Sequence, residues 1–178
     1  MMKNRAYLSL GSNIEPVRNI RAALQLLGQK CKLLAVSTIW ETEPLGFKEQ
    51  AYFLNGAAII ETEFSAPELK ARVLQRIEQA LGRVRGTNRY APRPIDLDII
   101  LFNDEVLEFE GYNIPSPEVL ERWFVAVPLA EIAPDYVHPI TGQTLQEIAT
   151  SFEAEAKQML KRDEFEPFTY GKDKKDYA

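Results

Sequence analysis

Asp96 and Asp98 stand one residue apart in the apolar run Ile95 to Leu101, directly after a segment that carries Arg83, Arg85, Arg89 and Arg93 and no acid. Successive side chains of a strand point to opposite faces, so the two carboxylates share one side while Ile95, Leu97 and Ile99 take the other. Strand rise separates them by about 6.5–7 Å, too far to share a proton and suited to flanking one divalent cation or a pair. Hard oxygen ligands of this kind suit magnesium, which keeps waters and is completed by substrate phosphates. The arginines in turn need an anion, and a metal-bound polyphosphate satisfies both groups. The pairing points to metal-dependent phosphoryl chemistry. An isolated pair of acids reads equally as the wet face of a half-exposed strand, and a basic loop as a solubilising one. Side by side, that alternative leaves the cations without partners.

The chain around these residues is acidic, with net charge −5 over 178 residues, which argues against a broad nucleic-acid or membrane-surface role. A local cluster of arginines on that background suggests a small anionic ligand. Cys31 is the single cysteine, which excludes an intrachain disulfide and a thiolate metal cage. The one histidine, His138, excludes a His pair and is assigned no chemistry. No stretch approaches the ~18 apolar residues of a membrane span, and the start turns polar before a signal-peptide core is complete. These features predict a cytoplasmic protein with no membrane and no nucleic-acid partner.

The elements that position the acids follow from periodicity. Ala6 to Leu10 reads as a strand running into the turn Gly11-Ser12-Asn13, and Pro16 opens a helix with Ile20, Ala23, Leu24 and Leu27 on one face up to a stop at Gly28. Leu33 to Thr42 predicts a second strand, Glu43 to Phe47 a Pro/Gly loop, and Tyr52 to Glu61 a third strand. Ser65 and Glu68 form a capping box before a helix with Leu69, Val73, Ile77 and Ala80 on its face. The fourth strand is Ile95 to Phe102, with Asn103-Asp104 as a hairpin turn into a further strand at Val106-Leu107. The order βαββαβ predicts an α+β, ferredoxin-like core: an antiparallel sheet with helices packed on its faces, an αβα sandwich, and extra C-terminal helices. Pro128 and Pro134 limit the helices beyond Pro115. Residues 1–150 form a single domain, and the charge-dense stretch 151–178 is an extension, a solvated helix and then a frayed tail.

GRVR followed by RYAPRPIDLDIILF, preceded by ETEPLG and FLN and followed by RWFVAVPLAEIAP, closely resembles the 6-hydroxymethyl-7,8-dihydropterin pyrophosphokinase family of folate biosynthesis. The resemblance runs from about Ala6 to Leu145, and the RxxPRxxDLD segment is its most specific part. It implies a monomer that moves the terminal diphosphate of ATP onto the hydroxymethyl group of the pterin, releasing AMP, with two magnesium ions. By the same resemblance Asp96 and Asp98 are the metal ligands, and Arg83 and Arg93 the catalytic arginines that offset charge on the bridging oxygen as AMP departs. Gln75, Glu78, Arg85, Arg89, Ile99, Ser116 and Arg122 are implied on the ATP side. Thr42, Pro44, Leu45, Gly46, Phe53, Asn55, Tyr90 and Phe124 are implied around the pterin. A flat bicyclic ring wants aromatic faces and amide edges, which Phe53, Phe124 and Asn55 can supply. From spacing alone, Gln75 and Glu78 read as readily as a plain polar helix face, and Phe53 and Ile99 as core. The Gly86-containing loop is a credible lid.

The family shows a PHPR-like sequence before its RRF segment, where this chain has Pro115-Ser116-Pro117-Glu118 and then Arg122-Trp123-Phe124. A histidine and two basic residues are absent there. Ser116 keeps one hydrogen bond for a phosphate, and Glu118 repels one. Losing a charged hydrogen bond costs roughly 1.5–3 kcal/mol. Tyr90 stands where the family commonly has tryptophan. These departures keep open a paralogue that binds pterin or nucleotide without efficient transfer, and a different small-molecule kinase that would release ADP.

Overall fold

The computed structural model describes residues 2–46 and 48–168. Strand β1 (Asn4–Ser12) leads into helix α1 (Pro16–Lys30), which starts at Pro16 as expected. Gly28 does not stop it: the helix runs through Gly28 and ends at Cys31, whose N–H returns to the Leu27 carbonyl. The expected second strand is split into β2 (Lys32–Val36) and β3 (Trp40–Thr42), and both pair with β4 (Phe53–Thr62). At the break the Ser37 hydroxyl accepts from Ala57 N at 2.8 Å, replacing a ladder bond with a side-chain one.

The capping box holds: Ser65 N donates to Glu68 Oε2 at 3.1 Å, opening α2 (Ala66–Leu69). A π-helical turn, Lys70–Leu74, joins it to α3 (Gln75–Ala80) in one rod. Strand β5 (Asp96–Phe102) follows the arginine loop. The next strand, β6 (Leu107–Phe109), pairs with β7 (Tyr112–Ile114) and not with β5, so the turn at Asn103-Asp104 is not a hairpin. Asn103 instead caps the neighbouring strand, its Oδ1 accepting from Arg5 N at 2.8 Å.

Beyond Pro115 come α4 (Glu118–Glu121), α5 (Trp123–Ile132), α6 (Leu145–Thr150) and α7 (Glu153–Ala156). Pro128 lies inside α5 and costs it one internal hydrogen bond without ending it. The extension then contributes β8 (Leu160–Lys161), paired with β3, and a 3₁₀ turn over Asp163–Phe168 that buries Phe165 in the core. The rest of the expected tail, 169–178, lies outside the described residues.

Among the described residues the main sheet is antiparallel throughout, in order β5-β1-β4-β3-β8 with β2 also on β4. One face carries Ala6, Leu8, Leu10, Ile60, Leu97 and Ile99 against α1 and the α2–α3 rod. The other carries Tyr7, Ala57, Ile59 and Leu101 against α5 and α6. The protein is thus an α+β sandwich, helices on both sides of an antiparallel sheet. The switch of faces along β5 comes from a bulge, since Leu8 pairs with Ile99 and Tyr7 with Leu101, leaving Ile100 extra. The Ile100 carbonyl accepts from Ser116 N at 2.8 Å, tying the 115–118 segment to the strand that bears the acids.

Candidate active site

Register places the chemistry. Asp96 on β5 pairs with Gly11 on β1, and Gly11 pairs with Asn55 on β4, so one row crosses three strands. Asp98 pairs with Ser9 one step along the same face. Leu97 and Ile99 are buried on the opposite face, as alternation requires. Above this face lies a cavity of about 310 Å³. Its wall brings together Thr42, Leu45, Phe53, Asn55, Tyr90 and Phe124 with Arg83, Arg85, Arg89, Arg93, Arg122, Asp96 and Asp98.

The acids and arginines are interlocked. Asp96 Oδ1 accepts from Arg83 Nη1, and its Oδ2 from Arg93 Nη1 at 2.7 Å. Arg83 also reaches Glu78 Oε1 at 2.9 Å, and Arg85 reaches Glu78 Oε2 at 3.0 Å. Three of the four loop arginines therefore pair with acids from outside the loop, contrary to the alternative of a solubilising loop without partners. The partners escape a sequence scan because Glu78 precedes the loop on α3 and Asp96 follows it.

Glu78 is 2% exposed and also accepts Leu97 N at 2.9 Å, so it fastens the end of α3 to β5 rather than lining the cavity. Burial, more than any neighbour, raises its carboxyl above the ordinary range. Burial likewise acts to raise Asp96, but the Arg83 and Arg93 guanidiniums outweigh it and hold that carboxyl below the ordinary aspartate value. Asp98 goes the other way: burial, then the charge of Asp96, raise it in spite of Lys70. Lys70 Nζ donates to Asp98 Oδ1 at 2.8 Å.

Asn55 Nδ2 donates to Thr42 Oγ1 at 2.6 Å, which orients the amide on the row. Gly11 leaves no room above it: a Cβ there would sit 3.1 Å from Asn55 Oδ1. Gly46, with φ +77°, meets the Tyr90 ring, to which a Cβ would approach within 3.0 Å. Tyr90 thus rests on the 43–46 loop, and Gln50 Nε2 holds its carbonyl at 2.9 Å. Asn13 completes the clamp: its N donates to the Arg93 carbonyl at 3.1 Å, its Oδ1 accepts from Arg93 N at 2.8 Å, and its Nδ2 donates to Gln50 Oε1 at 2.8 Å.

Of the other residues expected here, Gln75, Pro44, Gly46, Ile99 and Ser116 do not line the cavity. Ile99 is core, and Ser116 Oγ accepts from Glu118 N at 3.4 Å. Glu118 does line it, with its carboxyl raised by burial and then by Asp98 and Asp96. Sequence reasoning missed Ser9, Gly11 and Tyr112 as lining residues, and Lys70 altogether.

Among the described residues no group of three or more His, Cys, Asp or Glu could hold a metal on protein ligands alone. Asp96 and Asp98 fit instead an ion that takes one or two carboxylates and completes its shell with substrate phosphates. The Asp98 carboxyl is raised by burial first and by the Asp96 charge second, and a dication beside it would favour its ionised form. No helix among the described residues is long and apolar enough to cross a membrane.

An α+β frame carrying paired carboxylates and a ring of arginines beside an aromatic and amide pocket defines a small-molecule phosphotransfer class of site. Residues 7–134 match the 7,8-dihydro-6-hydroxymethylpterin-pyrophosphokinase (HPPK) family. Similar proteins include the 2-amino-4-hydroxy-6-hydroxymethyldihydropteridine pyrophosphokinases of Bacillus subtilis and Haemophilus influenzae. The first is 46% identical over 74% of this chain and 79% of its own; the second is 41% identical over 83% and 92%. The folic acid synthesis protein fol1 of Schizosaccharomyces pombe is 47% identical over 82% of this chain, which spans only 20% of that longer protein. Among solved structures, a Plasmodium falciparum HPPK-DHPS shares the fold, with TM-score 0.71 and 17% identity over 88% of this chain and 47% of that one. The chain belongs to the HPPK family of pyrophosphokinases.

Proposed function

We propose that this chain transfers the terminal diphosphate of ATP to the hydroxymethyl group of 6-hydroxymethyl-7,8-dihydropterin, releasing AMP, in a magnesium-dependent step of folate biosynthesis. The observation that carries it is the row Asp96, Gly11, Asn55. Asp96 and Asn55 stand two strand spacings apart, about 10 Å, on one cavity wall, which supports a phosphate-and-metal end beside the first and a ring-binding end beside the second.

Phe53 and Phe124 offer faces to the pterin, and Asn55, steadied by Thr42, offers edge hydrogen bonds; Leu45 and Tyr90 close that end. Arg83 and Arg93 leave Asp96 for the triphosphate when it enters, exchanging one anion for another. Arg85, Arg89 and Arg122 add charge along the chain of phosphates, and the Gly86 loop closes over it. Closure excludes water and limits hydrolysis. Asp96 and Asp98 would hold two magnesium ions, which when bound neutralise phosphate charge and align the attacked phosphorus. No histidine or cysteine stands in the cavity wall as a base. None is needed for a loose transition state governed by position and charge, since the alcohol can lose its proton late, to water or a phosphate oxygen. Glu78 acts through Arg83 and Arg85. Gln75, Ile99 and Ser116, although outside the cavity wall, are kept as supports of the ATP side; Pro44 and Gly46 shape the pterin loop.

The ferredoxin-like reading of the core takes β2 and β3 as one interrupted strand, and the order β5-β1-β4-β3 supports it. Residues 1–150 are taken as the pyrophosphokinase domain and 151–178 as an extension, in a cytoplasmic monomer. Glu118 in the cavity favours one other reading, a paralogue that binds pterin or nucleotide with little transfer. Chromatography of the nucleotides after incubation with ATP, the dihydropterin and magnesium separates the possibilities. Stoichiometric AMP is expected; ADP would indicate an ordinary kinase, and stabilisation by ligand without turnover the weak paralogue.

A further inference from the structure

Lys70 is 3% exposed, and its ammonium is fully engaged. It donates to Asp98 Oδ1 and to the Leu97 carbonyl, both at 2.8 Å, and lies 5.1 Å from the centre of the Tyr112 ring. An ammonium in such a place is costly unless paired, and an aliphatic side chain would fill it without that cost. Lys70, Val73, Leu74 and Ile77 stand at i, i+3, i+4 and i+7, so Lys70 occupies the middle of the buried stripe of the rod, where an apolar residue is the rule. The π-helical segment begins at this residue.

The ion-paired network holds three carboxylates, Asp96, Asp98 and Glu78, and four cations, Arg83, Arg85, Arg93 and Lys70. The arginines can move to phosphates; Lys70, enclosed on every side, cannot follow. Its hold on Oδ1 leaves the other Asp98 oxygen facing the cavity without a hydrogen bond among the described residues.

We propose that Lys70 is a positioning residue and resident counter-ion of Asp98: it fixes one carboxylate oxygen, presents the other, and keeps the affinity for free divalent cations low, so that metal enters as its nucleotide complex. This rests on Asp96 and Asp98 being metal ligands.

The test measures Mn²⁺ affinity of the full chain by calorimetry, with and without a non-hydrolysable ATP analogue. Lys70→Met should raise nucleotide-free affinity by about tenfold or more, because a positive charge within a few ångströms of the ion is removed. Lys70→Arg should stay within about threefold of the parent chain, since the charge is kept. An unchanged or lowered affinity in Lys70→Met overturns the proposal. Lys70→Gln serves as a second neutral variant; if neither neutral variant shows a cooperative thermal transition, the ammonium's role is structural and the proposal is likewise overturned. Asp98→Asn separates the two levels. Loss of Mn²⁺ binding beside the analogue supports the ligand assignment independently of Lys70, whereas full retention refutes that assignment and the proposal with it.

Discussion

Asp96 and Asn55 lie on one row of the sheet with only Gly11 between them. Glycine there puts no side chain between the two ends of the cavity that are proposed to hold the phosphates and the pterin. Gly11→Ala should leave the backbone unstrained but press on Asn55 Oδ1, where a Cβ would stand 3.1 Å away. The expected outcome is a loss of pterin affinity of about tenfold, the worth of one good hydrogen bond, with nucleotide affinity unchanged. Equal losses for both ligands in titration calorimetry would contradict this.

Removing either aspartate should abolish turnover, but the two should differ in stability. Asp96→Ala takes from Arg83, 15% exposed at its side chain, one of its two carboxylates and from Arg93 its partner, and should cost roughly 2–3 kcal/mol in urea unfolding. Asp98→Asn keeps an acceptor for Lys70 and relieves the repulsion that raises that carboxyl, so it should cost less. The reverse order would show that the Arg83–Asp96–Arg93 group does not hold the empty site together.

The two carboxyls also pull the pH dependence in opposite directions. Asp96 is depressed below the ordinary value near 3.9, so its contribution is present above that pH and is lost as pH falls through the folded value. Asp98 is raised, so its ionisation costs stability as pH rises from about 3.9 through its folded value. Unfolding free energy against pH should therefore lose part of its acid limb in Asp96→Asn. In Asp98→Asn it should lose the opposing decline.

Glu118 stands on the cavity wall where polyphosphate is expected. Glu118→Gln should tighten ATP binding by about three- to tenfold, with little change in pterin affinity, as expected of a single like charge removed from a partly screened site. Weaker ATP binding would instead make this carboxylate a useful ligand of the nucleotide complex.

Arg93→Ala should lower the rate more than it lowers pterin affinity, because its guanidinium serves the phosphates. Equal losses would leave it a binding role only. Its stacking over Phe53, 5.9 Å to the ring centre, is where such a binding loss would originate.

Much of this site was legible before the fold. Alternation put Asp96 and Asp98 on one face and Leu97 and Ile99 in the core, and charge order marked the arginine loop. What escaped was whatever depends on departures from ideal period or on distant pairing. Lys70 shares the apolar spacing of Val73, Leu74 and Ile77 but escaped because a lysine marks a helix surface, and the acid that makes its burial tolerable, Asp98, lies 28 residues further on. The Ile100 bulge, which anchors Ser116, leaves no mark in a run of branched residues. The break at Ser37 is set by a hydroxyl bonded across to Ala57. Arg162 shows the same limit: it grips Glu41 Oε2 at 2.5 Å across the β3–β8 edge, a pairing 121 residues apart in a stretch that composition alone marks as solvated.

In the proposed function Asp96 and Asp98 hold the metal-bound triphosphate opposite the pterin alcohol. Anomalous scattering from Mn²⁺, in crystals grown with a non-hydrolysable ATP analogue and the pterin, tests it directly. Two peaks within coordination distance of these carboxylates and the triphosphate, with the hydroxymethyl group facing the β-phosphorus, are predicted. Peaks elsewhere, or a triphosphate anchored away from β5, would contradict it.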